Sequence, residues 1–124
     1  MSDIEKSISD YQKLIGFERV EQVEVPSEHV KVAMLTLAES EIELLCPTSE
    51  EGAIAKFLRD HGEGIHHIAF DVADVSKAIE DAEKLGFRVV DKKPRRGAWG
   101  SVAAFVHPRS AHGVLIEYYA KTKR

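Results

Sequence analysis

"DVSKAIEDAEKLGFRVV" (residues 74–90) repeats, with one isoleucine fewer, the stretch "DIEKSISDYQKLIGFERV" at residues 3–20. Each copy opens on an aspartate, carries apolar residues at helical spacing, and ends on glycine followed by phenylalanine. The correspondence continues outward. "VKVAML" (30–35) matches "SVAAFV" (101–106), and "EIELL" (41–45) matches "VLIEYY" (114–119). The chain is therefore two copies of one unit, a reading that precedes any assignment of single elements.

Both copies contain a helix followed by three strands. In the first, Asp3 caps a helix carrying Ile4, Ile8, Tyr11 and Leu14 or Ile15, and Gly16 ends it. Strands follow at Phe17–Val25, Val30–Leu37 and Glu41–Leu45, punctuated by Pro26 and Pro47. A helix over Ser49–His61, with Ile54, Phe57 and Leu58 on one face, leads to Gly62 and Gly64. The second copy opens with a strand, Ile65–Val72. Asp74 then caps a helix with Val75, Ala78, Ile79, Ala82 and Leu85 facing inward, and strands follow at Phe87–Lys92, Ser101–His107 and Val114–Tyr119. Residues 93–100 form a glycine-punctuated loop.

Only Met1 and Ser2 precede the first helix, so the first copy lacks a counterpart of the strand Ile65–Val72. A partner of "IHHIAFDV" is expected just upstream of Met1, beyond a misplaced gene start or missing outright. A missing strand would leave an edge and apolar faces uncovered, to be filled by oligomer contacts or left as an open side of the site.

Composition narrows the function classes. With 124 residues the chain is long enough for one domain with a core. A net charge of −4 argues against nucleic acid as a partner. No run approaches the roughly 20 apolar residues of a membrane span, and the N-terminus carries no apolar signal region. The single Cys46 cannot form an internal disulfide, fits a reducing, cytoplasmic setting, and reads as a small core hydrophobe.

Period-two alternation then sorts the polar residues. Along Ile65–Val72, His67, Ala69 and Asp71 share one face. His66, Ile68, Phe70 and Val72 share the other, which should pack under the helices, leaving His67 on the open face and His66 structural. Glu117 interrupts the otherwise apolar "GVLIEYYA", and Glu43 holds the equivalent position in the first copy. A carboxylate in an apolar strand costs several kcal/mol unless it is met by a partner. Pseudo-symmetry can bring Glu43 and Glu117 to matching places in one cleft, where His67 completes a His/Glu/Glu set suited to a divalent metal. The same symmetry asks for a fourth ligand, a histidine on the missing strand. His107, His29 and His61 read as turn or surface residues. Lys92, Lys93, Arg95 and Arg96 form a basic loop that can receive a phosphorylated ligand or simply be solvated. Trp99 and His112 can line a pocket. The chain has no phosphate-binding glycine loop and no serine nucleophile motif.

"VKVAMLTLAESEIELLCP", "IAKFLRDHGEGIHHIAFDVADV" and "FVHPRSAHGVLIEYYA" resemble the methylmalonyl-CoA epimerases of the vicinal oxygen chelate (glyoxalase/bleomycin-resistance) superfamily. The resemblance covers nearly the whole chain. It implies an α+β fold of paired βαβββ modules forming a cleft-shaped mixed sheet around a divalent metal, here with the first strand of module one missing. Residues 1–124 then form a single domain: module one 1–48, linker helix 49–62, module two 63–124. It further implies metal ligands at Glu43, His67 and Glu117, with the ion being Co, Mn, Ni, Zn or Mg. The family's first ligand, a histidine on the opening strand, has no counterpart here. Trp99 stands where the family commonly has histidine, and His112 where it has glycine.

The implied reaction is interconversion of the (2R) and (2S) forms of methylmalonyl-CoA through removal and return of the C2 proton. Glu117 is the candidate acid/base and Glu43 a second one. The implied partners are an acyl-CoA, facing Lys92, Lys93, Arg95, Arg96, Trp99 and His112, and a second copy in a homodimer. Two alternatives stay open: another activity of the superfamily, such as a lactoylglutathione lyase, or a metal-free small-molecule binding protein on the same fold.

Overall fold

The computed structural model describes residues 2–96 and 100–121. The chain divides into two compact units, Met1–Gly64 and Ile65–Arg124. Both mix helix with sheet, so the chain is α+β.

The first unit runs α1 (Ile4–Leu14), β1 (Arg19–Val25), β2 (Val30–Leu37), β3 (Ser40–Pro47) and α2 (Ala53–His61). The strands form an antiparallel meander in the order β1-β2-β3. Val23 stands opposite Val32, and Met34 opposite Glu43. One face of this sheet is the core, where Ile4 and Phe17 meet Ala33, Leu35 and Leu44. Cys46 packs at the margin of that cluster as a half-buried free thiol, in keeping with its reading as a hydrophobe.

The second unit runs β4 (Ile68–Asp71), α3 (Val75–Lys84), β5 (Arg95–Arg96), β6 (Ser101–Val106) and β7 (Ile116–Lys121). Its sheet has the order β4-β7-β6-β5, with β4 parallel to β7 and the other pairs antiparallel. α3 lies over β6 and β7. Val75 and Ile79 of the helix bury against Ala104, with Val102, Tyr118 and Ala120 alongside.

The repeat persists down to individual hydrogen bonds. The carboxylate of Asp3 accepts the Lys6 amide at 3.1 Å, and Asp74 accepts that of Lys77 at 3.0 Å. Each cap satisfies one of the orphan donors of the first turn. Ion pairs follow at equivalent places, Lys6–Asp10 and Lys77–Asp81. Gly16 and Gly86 both adopt positive φ, +80° and +94°, where a side chain would be strained. The strand register repeats too: Met34 faces Glu43 as Phe105 faces Glu117.

Four sequence expectations need correction. Ile68 and Phe70 do not pack under the helices; they are 46% and 51% exposed. β4 lies at the edge of its sheet and α3 covers β6 and β7, so neither face of β4 is roofed by a helix. Leu85, expected to face inward, is exposed as well, as are Leu14 and Ile15 at the matching place in the first copy. They belong to the turns that end α1 and α3, beyond the packed stripe that closes with Tyr11 and Ala82. Phe87–Lys92 is not a strand beyond a single bridge between Val89 and Val106. The Val90 N–H donates to the Phe105 carbonyl, but the Phe105 N–H donates to the Asp91 carboxylate in place of a backbone carbonyl, which stops the ladder. Finally, the loop at 93–100 contains the short strand β5, paired with Val102 and Ala103. Among the described residues no helix is long and apolar enough to cross a membrane.

Two substitutions test this account. Asp74→Ala should lower stability by about 1 kcal/mol through loss of the cap, with Asp74→Asn near wild type. Ile79→Ala should cost about 2–5 kcal/mol by opening a cavity under α3. Urea unfolding measures both; a neutral Ile79→Ala would remove α3 from the core.

A histidine–carboxylate pair at the head of β4

β7 is an inner strand of its sheet, and Glu117 lies within it between Phe105 of β6 and Ala69 of β4. Its neighbour Tyr118 turns toward the core under α3, so alternation turns Glu117 to the opposite face. There the small side chain of Ala69 leaves room, and His67, two residues earlier on the same face, fills it. His67 Nε2 stands 2.9 Å from Glu117 Oε1, and the two side chains are only 11% and 14% exposed. The carboxylate that interrupts the apolar strand is thereby met by an imidazole.

The His67 ring is held on two further sides. It meets the Phe105 ring edge-on at 5.7 Å between centroids. Its Nδ1 lies 2.9 Å from Nδ1 of His66. This contact corrects the placement of the two histidines on opposite faces. Strict alternation begins with β4 at Ile68, and the two residues ahead of it turn their rings toward each other. Burial, followed by the charge a protonated His67 would place beside it, pushes the His66 pKa down to about 4. His66 is therefore a neutral ring at pH 7, with one donor and one acceptor nitrogen.

Behind Phe105 lies a contact that the sequence offered no signal for. The Arg95 guanidinium sits over the Phe105 ring at 5.4 Å. The Asp91 carboxylate anchors that guanidinium, accepting from its Nε at 3.0 Å, and takes the Phe105 N–H with its other oxygen. An Arg95–Asp91 ion pair thus lies one ring away from the His67–Glu117 pair.

The remaining candidates fall in several places. Glu43 is half-buried on β3 in the first unit, on the opposite face to core residue Leu44. Lys92 is exposed and paired with Glu83 at 3.0 Å; Lys93 and Arg96 are exposed. His112 is exposed with φ 58°. Trp99 lies outside the described residues. His107, His29 and His61 take part in local contacts: a turn, an ion pair with Glu51, and stacking on Phe57.

The chemistry of the pair fits a divalent cation. Imidazole nitrogen and carboxylate oxygen are the donors such ions take. With ligands about 2.1 Å from an ion, two of them at right angles stand about 3 Å apart. The spacing seen between Nε2 and Oε1 is thus that of a hydrogen bond or of one edge of a coordination shell.

Comparison with known proteins places the chain. A family model described as Glyoxalase/Bleomycin resistance protein/Dioxygenase superfamily matches residues 1–105. The human mitochondrial methylmalonyl-CoA epimerase is 33% identical over 116 residues, which cover 93% of this chain and 66% of that protein. The chain spans 65–66% of the length of the mammalian relatives it matches. The ethylmalonyl-CoA/methylmalonyl-CoA epimerase of Cereibacter sphaeroides is 35% identical over 117 residues, 93% of this chain and 87% of its own length. A structure of a variant Streptomyces coelicolor methylmalonyl-CoA epimerase, in complex with 2-nitronate-propionyl-CoA, superimposes with a TM-score of 0.91. It shares 36% identity and covers 98% of this chain and 88% of its own. The chain belongs to the glyoxalase/bleomycin resistance protein/dioxygenase superfamily, in the branch that holds the methylmalonyl-CoA epimerases.

Proposed function

We propose that the chain epimerises methylmalonyl-CoA at C2 with the help of a divalent metal ion. The observation that carries this reading is the His67–Glu117 pair, a nearly buried imidazole and carboxylate 2.9 Å apart in a chain of the epimerase branch.

His67 Nε2 and a Glu117 oxygen would hold the ion. Glu43 joins them in this reading, because it occupies in the first copy the register position that Glu117 occupies in the second. When bound, the ion supplies Lewis acidity to the enolate that forms when C2 loses its proton. Glu117 accepts that proton. Its position in an inner strand, with His67 at 2.9 Å, holds the carboxylate in one place, as proton transfer to and from carbon requires. Glu43 is the candidate for the acid on the other face of C2. The Phe105 ring and His66 keep the His67 imidazole in place, and so keep the Glu117 carboxylate in one position beside it.

The basic run at 92–96 faces the CoA phosphates in this reading, with Trp99 and His112 shaping the substrate mouth. Lys93 and Arg96 are the stronger choices within it, because Lys92 is already paired with Glu83 and Arg95 with Asp91. The working form is a homodimer, in keeping with the exposed Ile68 and Phe70 on an edge strand. The lone, half-buried thiol of Cys46 accords with a reducing compartment, the cytoplasm.

Solvent deuterium exchange at C2 of methylmalonyl-CoA, with and without Co²⁺, tests the reaction. Metal-stimulated exchange is expected, and Glu117→Gln should reduce it by about 10²–10⁴-fold, the usual worth of a positioned acid/base. No exchange, together with turnover of the methylglyoxal–glutathione adduct, would move the chain to the lyase chemistry of its superfamily. Binding of an acyl-CoA without either reaction would make it a binding protein.

The double variant Lys93→Ala/Arg96→Ala should raise KM for methylmalonyl-CoA about tenfold with kcat little changed, since phosphate contacts far from C2 bind ground and transition states alike. A fall in kcat at constant KM would remove the loop from CoA binding.

A further inference from the structure

One carboxylate governs both the backbone and the ring of Phe105. The Phe105 N–H donates to Asp91 Oδ2 at 3.0 Å, and the Arg95 guanidinium lies over the Phe105 ring, 5.4 Å from its centroid. The other oxygen of Asp91 accepts from Nε and Nη2 of that same guanidinium. The Asp91 side chain is 12% exposed, so this carboxylate is shielded and answered on both oxygens.

The strand register brings these groups together. Arg95 stands opposite Ala103, and Phe105 opposite Glu117. Cross-strand partners share a face, as do residues two apart on one strand. Arg95, Ala103, Phe105 and Glu117 therefore lie on one face, opposite to that of Ala104, which is buried against α3. The small side chain of Ala103 leaves the guanidinium a diagonal path to the Phe105 ring. The same ring meets that of His67 at 83°.

The edge of β6 adds a second constraint. The Phe105 carbonyl accepts from the Val90 N–H at 2.8 Å, while its N–H goes to Asp91. Both backbone groups therefore point away from β7. Phe105 and Glu117 form a non-hydrogen-bonded pair, the kind whose side chains stand closer together. A backbone carbonyl would satisfy the Phe105 N–H with no charge to shield. Asp91 in its place adds a charge-assisted hold on the guanidinium, so one side chain fixes the backbone of Phe105 and, through Arg95, its ring.

We propose that Asp91 and Arg95 are positioning residues for the His67–Glu117 pair, acting through the Phe105 ring. Their effect on rate rests on the epimerase reading of that pair; their effect on the placement of the His67 ring does not. A slackened Phe105 ring lets the imidazole, and with it the Glu117 carboxylate, leave the geometry that proton transfer needs. Arg95 thereby differs from Lys93 and Arg96, the cations assigned to the CoA phosphates: its loss slows the chemical step and leaves substrate binding alone.

Arg95→Met removes the guanidinium and keeps the Asp91–Phe105 hydrogen bond. Asp91→Asn keeps an acceptor for the Phe105 N–H and loses the ion pair. Arg95 has a further partner as well, so each half of the clamp is removed in turn. Each variant should lower kcat for methylmalonyl-CoA about 10–100-fold, with KM within about twofold of wild type. A wild-type kcat in either variant overturns the proposal, and a raised KM for Arg95→Met returns that residue to the phosphate-binding run. Phe105→Leu separates this role from a general loss of folding. Once the ring is gone, adding Arg95→Met should change kcat by no more than about twofold; losses that multiply overturn the proposal.

Proton–carbon NMR of the histidine side chains gives a readout without substrate. Both single variants should move the His67 ring protons, which feel the Phe105 ring current, more than those of His29 and His61 in the first unit. Unmoved His67 resonances overturn the proposal. Displaced His67 resonances in the variants, with no C2 exchange by the wild-type protein, overturn the epimerase reading and leave the clamp standing.

Discussion

A carboxylate inside a sheet must be answered, and the second unit is arranged around the answer to Glu117. The residue stands on an inner strand, 14% exposed, where an unpaired charge would cost several kcal/mol. Three features of the fold supply its partner. The parallel pairing of β4 with β7 puts Ala69 opposite Glu117 and brings His67 onto the same face. The antiparallel register of β6 puts Phe105 opposite Glu117, and that ring supports the imidazole. Asp91 ends the ladder beside β6 by taking the Phe105 N–H itself, which fixes the strand that carries the ring. A one-residue slip of β7 would turn Glu117 into the core under α3 and Tyr118 out to the site.

The duplication explains why this arrangement was visible in the sequence at all. Glu43 and Glu117 are unremarkable taken singly. They become informative because "EIELL" and "VLIEYY" align, and the structure carries that alignment into matching registers, Met34 against Glu43 and Phe105 against Glu117. The caps are legible for the same reason. Asp3 and Asp74 sit three residues before Lys6 and Lys77, and in both copies the aspartate side chain accepts the lysine amide. Local chemistry that is repeated in sequence is repeated in structure, since a cap or an i,i+4 ion pair needs nothing beyond its own turn.

The features that escaped the sequence depend on neighbours rather than on spacing. Alternation separates the two faces of β4, but it does not say which face is covered. That depends on strand order and on where α3 lies, and α3 lies over β6 and β7. Ile68 and Phe70 are consequently exposed although their pattern is that of a core strand. The end of the bridge at Val89 is another case: nothing in "FRVVDK" announces that the Asp91 side chain will replace a backbone acceptor. The contact between His66 and His67 escaped because period two was extended two residues past the start of the strand it describes.

That same overextension bears on how the site works. Had the alternation continued, His66 would share the uncovered face of Ile68 and Phe70, and its ring would not meet His67 at Nδ1. An imidazole with one nitrogen unsupported can rotate about its side-chain bonds or take either tautomer, and each freedom weakens its hold on whatever Nε2 binds. With Nδ1 fixed by His66, the ring edge set by Phe105, and Nε2 directed at Glu117, three separate contacts define one orientation.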